Sequence, residues 1–343
     1  MNIKSIIFLL SLLSVNYTTQ TSETIKKLPF SKVIIWGHKH HSSTHSYIHY
    51  SFDRTFRYLG YDTYWLDNND NVHNIDFHNS LFITEGQVDQ KIPLREDCRY
   101  ILHNCELGKY KKLFDKNLCI ILQVYSHDCL KRKETKIDDC MHINGATRTI
   151  YLPWATDLLP LEIDEIKKQI PNRKKNNTIY WIGSIWDGIH GNRDKINNFE
   201  QACRQNGIQF KHLTSVNETE NKNLIAQSYM APALQGKWQC DNGYIPCRIF
   251  KNISYGQMGI TNSKAVYDLF NGKIVYNQDP YQLFYDAQKR LKDIDINEIY
   301  ELMDFVKNKH TYINRIDHLL HFLHFFKPLP HFSGNEKVLK GIQ

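Results

Sequence analysis

Arg248 is the residue whose type and position most favour binding of a charged ligand. It stands just before a stretch that predicts a helix over residues 251–255, which ends at Gly256. A helix N-terminus with a guanidinium beside it suits a diphosphate, because backbone N–H groups and a fixed positive charge meet there. The sequence therefore favours a diphosphate site at Arg248, with a surface salt bridge as the alternative.

Asn262 and Ser263 follow a predicted strand, residues 258–261, in the same half of the chain. Ligands of α/β folds bind at the carboxyl ends of strands, so both residues are candidates for phosphate or sugar contacts. Capping of the helix that follows is an equally good explanation for the two side chains.

His45 and Glu85 are the candidates for a general base in the first half of the chain. The polar loop 38–45 (HKHHSSTH) follows an apolar strand, and His45 lies beside the predicted start of a helix over 46–59. An imidazole pKa near ~6.5 suits deprotonation of a hydroxyl. Glu85 ends another predicted strand and is a competing base. A solvated histidine loop is the alternative, and no ligand spacing predicts a metal site.

The spacing of apolar residues predicts an open, mostly parallel sheet in the first half. Short apolar runs alternate with helical or loop segments, which is typical of a sheet with helices on both faces. The predicted strands are residues 32–36, 61–66, 80–84, 100–103 and 118–124. The proline-containing extended run 149–154 closes this half, and we predict a Rossmann-like domain over residues 30–155.

The same pattern restarts in the second half. Its predicted elements are strands 178–182 and 208–213, a helix over 193–206 and a largely helical segment over 223–234. We predict a second Rossmann-like domain over residues 156–326, which ends in an amphipathic helix over 317–326. Two α/β domains that face each other form a cleft between the carboxyl ends of two sheets, where two substrates meet.

Residues 246–279 (PCRIFKNISYGQMGITNSKAVYDLFNGKIVYNQD) resemble the nucleotide-sugar-binding segment of GT-B glycosyltransferases. The resemblance is closest to the CgeB-like branch, among the glycosyl transferases group 1. Residues 309–316 (KHTYINRI) resemble the HTYxxR signature of that branch, and Tyr180 to Ser184 with Gly191 to Arg193 resembles the opening of its second domain.

The resemblance implies a GT-B fold and sugar transfer from a nucleotide-diphosphate donor to an acceptor hydroxyl. The second domain would hold the donor, with Gly183 and Ser184 joining Arg248 as binding candidates, and the first domain would hold the acceptor. The resemblance further implies that no metal and no other cofactor is needed. The expected acceptor is a glycan, a lipid-linked molecule or a protein.

Lys251 departs from the family pattern. The family usually has Glu at this position to hold a ribose or sugar hydroxyl, and Lys cannot accept a hydrogen bond. The E-x7-E pair of many retaining members is absent, with Lys251 and Gly259 at its two positions. Lys251 would contact phosphate instead, or Asn252 would hold the hydroxyl. An inactive secreted glycan-binding protein and a sugar-nucleotide epimerase therefore remain alternatives to the transferase.

The charge and the N-terminus bear on partners and location. The formal net charge is +7, but the basic residues are scattered, so the sequence does not predict nucleic-acid binding. Residues 1–21 combine a positive start with an apolar run, which predicts a signal peptide or an anchor near a membrane. We therefore expect the secretory pathway, the periplasm or the extracellular space.

Overall fold

Short runs rich in Val, Ile, Leu and aromatic residues form the strands of the first unit, because such side chains suit positions buried on both sheet faces. The computed structural model describes residues 28–39, 44–126, 135–136, 141–334, 338–339 and 342 of the 343-residue chain. The strands of the first unit are β1 (Lys32–Trp36), β2 (Thr63–Leu66), β3 (Ser80–Glu85), β4 (Arg99–His103), β5 (Cys119–Gln123), β6 (Thr135–Lys136), β7 (His142–Asn144) and β8 (Thr149–Tyr151). Its described helices are α1 (Thr44–Tyr58) and α2 (Leu107–Asp115).

These strands form one eight-stranded sheet in the order β2-β1-β3-β4-β5-β8-β7-β6. The pairings from β2 through to β8 are parallel, whereas β7 and β6 are added antiparallel. The register places Glu85 at the end of β3 directly beside His103 at the end of β4. Since parallel strands end at the same edge, both side chains lie on the edge that the loop after β1 also borders.

The side chains of β1 alternate between two apolar layers. Val33 and Ile35 pack in one cluster with Phe52 of α1. Ile34 and Trp36 pack in a second cluster on the opposite face of the sheet. Burial on both faces explains why β1 is a continuous apolar run rather than an alternating one.

The second unit is also α/β, and its strands form two parallel pairs. Its elements are α3 (Pro160–Gln169), β9 (Thr178–Ile182), α4 (Arg193–Gln205), β10 (Gln209–Leu213), α5 (Glu218–Gln227), α6 (Lys237–Asp241), α7 (Cys247–Ser254), β11 (Ile260–Thr261), α8 (Lys264–Leu269), β12 (Val275–Tyr276), α9 (Pro280–Asp293) and α10 (Ile296–Lys309). Strand β10 pairs with β9, and β12 pairs with β11, in both cases parallel.

Residues 229–233 fill the gap between β9 and β11. Tyr229 N donates to Thr178 O at 2.8 Å, and Ala233 N donates to Ile260 O at 2.9 Å. The chain therefore runs extended here, and the carboxyl ends of β9, of this segment and of β11 form one edge. The two α/β units face each other across a cleft, which confirms the predicted α/β fold of the GT-B type.

The prediction of a largely helical segment over 223–234 is wrong in its second half. Helix α5 begins earlier, where the Asn217 side chain accepts from Glu220 N at 2.9 Å, and it ends at Gln227. The chain is extended from Ser228 onward. Pro232 lacks an N–H and its ring would clash with a preceding helical turn, so the helix cannot continue through it.

The C-terminal helix α11 (Tyr312–Phe326) returns to the first unit. The rings of Tyr312 and Phe52 of α1 lie 4.8 Å apart. Arg315 is fully buried, and its Nε donates to Pro153 O at 2.7 Å while Nη2 donates to Trp154 O at 3.3 Å. The residues that resemble the HTYxxR signature therefore tie the end of the chain to the extended link between the units.

The predicted signal peptide or anchor, residues 1–21, lies outside the described residues. Within the described part of the chain, no helix combines the length and apolar character that crossing a bilayer requires.

Candidate active site

A cavity of about 740 Å³ lies between the two units and is lined by the carboxyl edges of both sheets. Its N-terminal wall consists of His45 and His103 with Glu85 behind them; its C-terminal wall carries Arg248, Lys251 and neighbouring residues. The predicted site residues that line the cavity are His45, Gly183, Ser184, Arg248, Lys251 and Asn252. Glu85, Asn262 and Ser263 lie outside this lining.

Arg248 stands in the first turn of α7, because this helix starts at Cys247 rather than at the predicted residue 251. Its guanidinium carbon lies 3.8 Å from the centre of the Trp181 ring. Its Nη2 lies 2.8 Å from where a Cβ at Gly183 would be, and Gly183 has a φ of +126°, so a side chain at 183 would strain the backbone and crowd the cation.

The Arg248 guanidinium has no hydrogen-bond or ion-pair partner among the described residues. Burial lowers the pKa of Arg248 to about 10, an effect that the neighbouring Cys247 and Tyr244 oppose. The group still carries its charge near pH 7, and a half-buried cation without a counter-ion is costly. An anionic ligand in the cavity would relieve that cost.

Lys251 follows Arg248 by one turn and faces the same cavity. Its Nζ lies 3.9 Å from Asp157 Oδ2 and 5.2 Å from the centre of the Tyr47 ring. The Asp157 carboxylate also accepts from the Tyr255 hydroxyl at 2.7 Å. The distance between Asp157 and Lys251 is therefore at the upper limit for an ion pair, and the N–H groups of Lys251 can turn toward a ligand.

Asn252 and Asn262 of the C-terminal wall hold the backbone in place through their side-chain amides. Asn252 lines the cavity while its Nδ2 donates to Ala231 O at 2.9 Å. Asn262 accepts from Gln235 N and donates to Gln235 O, both at 2.9 Å. Ser263 precedes α8 without a side-chain capping bond. The amide of Asn262 is thus used to fix Gln235, which itself lines the cavity.

Glu85 is fully buried behind the N-terminal wall. His103 Nδ1 donates to Glu85 Oε2 at 2.7 Å, and His45 Nδ1 lies 3.7 Å from the same oxygen. The His103 ring also stands edge-on to Trp154, with centres 5.0 Å apart. The two predicted base candidates are brought together, with the carboxylate orienting the imidazoles rather than facing the cavity.

Burial and the neighbouring charges set which groups are protonated. Burial lowers the pKa of His45, and Glu85 partly opposes this. Burial alone would raise the pKa of Glu85, but the hydrogen bond from His103 holds it below its usual value. Burial lowers the pKa of His49, which stands behind the wall, to about 3. A neutral His45 beside an ionised Glu85 is the arrangement that a general base requires.

The same three groups also offer one ligand atom each within 4.8 Å of one another. In a tetrahedral zinc site with bonds of about 2.0–2.2 Å, two ligand atoms are about 3.4 Å apart. The 2.7 Å contact between His103 and Glu85 is shorter than that separation. It is a direct hydrogen bond, and the geometry is that of an acid–base group.

His103 and Gln235 are among the cavity residues that the sequence did not single out. His103 ends the predicted strand 100–103, and Glu85 follows the predicted strand before it. The sequence could therefore have placed both side chains at the same sheet edge. Gln235 follows directly on the segment that was predicted to be helical, which hid its place at a strand end.

A larger depression of about 950 Å³ lies outside the cleft, against α3 and the loop that follows it. Its carboxylates are already paired, Glu162 with Arg54 at 2.7 Å and Glu165 with Lys168 at 2.6 Å. It includes no residue from the carboxyl edge of either sheet. The cleft is therefore the better candidate for an active site.

No family model and no curated protein matches the chain, so the similarities that follow are to solved structures. It is similar to an alpha-glucosyltransferase in complex with UDP and a 13-mer DNA containing a HMU base, with 12% identity, a TM-score of 0.46, and 84% of this chain and 99% of that chain covered. It is similar to T4 phage BGT in complex with UDP-glucose, with 11% identity, a TM-score of 0.45, and 87% and 99% covered. For OtsA in its apo form the identity is 12%, the TM-score 0.36, and the coverage 87% and 73%. The CgeB-like branch finds no match here and stays a prediction.

Proposed function

We propose that the chain is a glycosyltransferase that moves a sugar from a nucleotide-diphosphate donor to an acceptor hydroxyl. One observation carries this proposal: a single cavity has the unpaired Arg248 cation on one wall and His45 with the Glu85–His103 pair on the other. A site for an anionic leaving group thus faces a site for a proton acceptor. This combination is what transfer from a diphosphate to a hydroxyl requires.

On the C-terminal wall, Arg248 and Lys251 neutralise the diphosphate as it leaves. The acceptor oxygen forms a bond to the anomeric carbon, while the bond from that carbon to the diphosphate oxygen breaks and its electron pair goes to the diphosphate. Cations and first-turn N–H groups of α7, already in place, stabilise this charge without reorganisation.

On the N-terminal wall, an imidazole nitrogen takes the proton of the acceptor hydroxyl. His45 is the proposed base, since it lines the cavity and its pKa lies below the usual histidine value. Glu85 is a positioning residue, because its carboxylate orients His103 and stabilises positive charge on the imidazoles. His103 lines the cavity as well and is the second candidate for the base.

We propose further that transfer needs no metal ion, since Arg248 and Lys251 would neutralise the diphosphate as a metal ion does in metal-dependent enzymes. Full activity in excess EDTA is the expected result. The acceptor is proposed to be a glycan, a lipid-linked molecule or a protein of the secretory pathway, on the strength of the apolar run near the N-terminus.

Thermal unfolding with a panel of nucleoside diphosphates tests the donor site, and release of nucleotide from nucleotide-sugars tests turnover. The expected result is a rise in Tm with at least one nucleoside diphosphate, together with sugar transfer. Glycan binding without turnover would favour the lectin-like alternative, and an epimerised donor would favour the epimerase. No Tm shift with any nucleoside diphosphate contradicts the proposal.

A further inference from the structure

Gln235 presents a carboxamide that is buried and unpaired at the cavity. The residue is 1% exposed and lines the cavity wall. Neither its Nε2 nor its Oε1 has a hydrogen-bond partner among the described residues. An unmade hydrogen bond on a buried polar group costs about 1–3 kcal/mol, so an amide with both ends unpaired calls for a ligand.

The position of this amide is fixed by its neighbours. Asn262 holds both backbone groups of Gln235 at 2.9 Å. The next residue, Gly236, packs so tightly that an added Cβ would lie 1.9 Å from Gly191 O. The Gln235 side chain therefore cannot reach solvent to form hydrogen bonds with water, and its partner has to be a ligand bound in the cavity.

The distance to the diphosphate site is set by the sheet. Gln235 comes soon after the segment 229–233, which is the neighbour of β9. Gly183 directly follows β9 and lies beside the Arg248 guanidinium. Neighbouring strands lie about 4.8 Å apart. The amide is thus within reach of the group attached directly to a diphosphate held at Arg248.

The chemistry of the amide selects that group. A carboxamide offers one acceptor and two N–H donors, so its ligand has to accept and to donate. A diphosphate only accepts, and an apolar group does neither. Two hydroxyls of a sugar ring do both. We propose that Gln235 binds the hydroxyls of a sugar ring attached to the donor diphosphate, an inference that rests on the proposed function.

That ring is either the ribose or the transferred sugar. Binding measurements on Gln235→Leu distinguish the two. The probes are UDP and UDP-glucose, and GDP and GDP-mannose, measured by calorimetry against the wild type. Leu keeps the volume and removes both hydrogen-bonding ends. We expect affinity for the preferred nucleotide-sugar to fall about 10-fold or more, with Tm unchanged or raised.

Weakening of the nucleotide-sugar alone assigns the contact to the transferred sugar, and equal weakening of the nucleoside diphosphate assigns it to the ribose. Gln257→Leu is the matched control, because its buried Nε2 already donates to Ile225 O and to Ser228 O at 3.1 Å. That variant should lose stability and keep affinity. If the wild type binds a probe and Gln235→Leu binds it equally tightly, the inference is overturned and the proposed function is not. A wild type that binds none of the probes overturns the proposed function, and the inference with it.

Discussion

The two walls of the cleft differ in how their polar groups are satisfied. On the N-terminal wall, Glu85 and His103 are joined by a 2.7 Å hydrogen bond, and His45 completes the group. Glu85 Oε2 is thus paired, although Glu85 Oε1 has no partner among the described residues. On the C-terminal wall, the Gln235 carboxamide has no hydrogen-bond partner among the described residues, and the Arg248 guanidinium lies over the Trp181 ring without a counter-ion there. Paired groups set proton chemistry and add stability, whereas unpaired groups are available to bind a ligand. Removing a member of one wall should therefore affect the protein differently from removing a member of the other.

The largest effect is expected for Glu85→Gln on the N-terminal wall. Gln keeps the shape and an acceptor for His103 but removes the charge that supports a protonated imidazole. General-base catalysis contributes ~10²–10⁴-fold, so kcat for transfer should fall by roughly 10²-fold or more with little change in KM. Tm should also fall, because a charge-assisted buried hydrogen bond is weakened. Steady-state kinetics and thermal unfolding measure both.

The control for this variant is Glu106→Gln, which neutralises an exposed carboxylate that makes no capping bond. It should leave kcat and Tm unchanged. An unchanged kcat in Glu85→Gln would remove Glu85 from the mechanism.

Arg248→Met on the C-terminal wall should show the opposite pattern. It removes the hydrogen bonds to a charged ligand, each worth about 1.5–3 kcal/mol, so nucleoside diphosphate affinity should fall by roughly 10- to 100-fold. Tm should stay the same or rise, because the variant also removes a half-buried charge that has no counter-ion among the described residues. Calorimetry and thermal unfolding without ligand give the two values.

Arg204→Met is the matched control, since Arg204 is an exposed partner of Glu200 at 3.1 Å. It should change neither value by much. A marked loss of stability in Arg248→Met, with nucleotide affinity preserved, would give Arg248 a structural role.

The pH dependence of kcat/KM sharpens the assignment of the base. Protonated His45 cannot accept a proton, so activity should rise with pH through the pKa of this residue. Because burial lowers that pKa, the midpoint should lie below ~6.5. Glu85 raises the pKa of His45, so Glu85→Gln should move the midpoint further toward acid. A midpoint above ~6.5 would assign proton transfer to another group, and His103→Gln would be the next variant to measure.

The sequence predicted features that depend on neighbouring residues and missed those that depend on register. The continuous apolar run of β1 is local, and it predicted this strand correctly. Arg248 was expected just before a helix but lies in the first turn of α7, and its role as a ligand-binding residue stays a prediction. The His103–Glu85 pair exists because β4 lies beside β3, which no local pattern encodes. The place of Gln235 at a strand end was missed, because the apolar spacing of the preceding residues predicts a helix even though Pro232 breaks one.

The smallest effect is expected for Trp186, which lies at the cavity mouth and is 61% exposed. Its backbone is fixed, since Trp186 N donates to Asn192 Oδ1 at 3.1 Å and Trp186 O accepts from Asn192 N at 3.0 Å. A large exposed ring on a fixed backbone suits stacking on a substrate, and such contacts add about 0.5–1.5 kcal/mol.

Trp186→Ala should therefore raise KM a few-fold and leave kcat and Tm nearly unchanged, because the ring buries little in the free protein. Ile189→Ala is the control from the same loop, as Ile189 is 79% exposed and outside the cavity lining. Equal KM values for Trp186→Ala and the wild type would confine substrate binding to the deeper part of the C-terminal wall. An equal rise in both variants would instead trace the effect to the loop as a whole, since Trp186 borders the cavity and Ile189 does not.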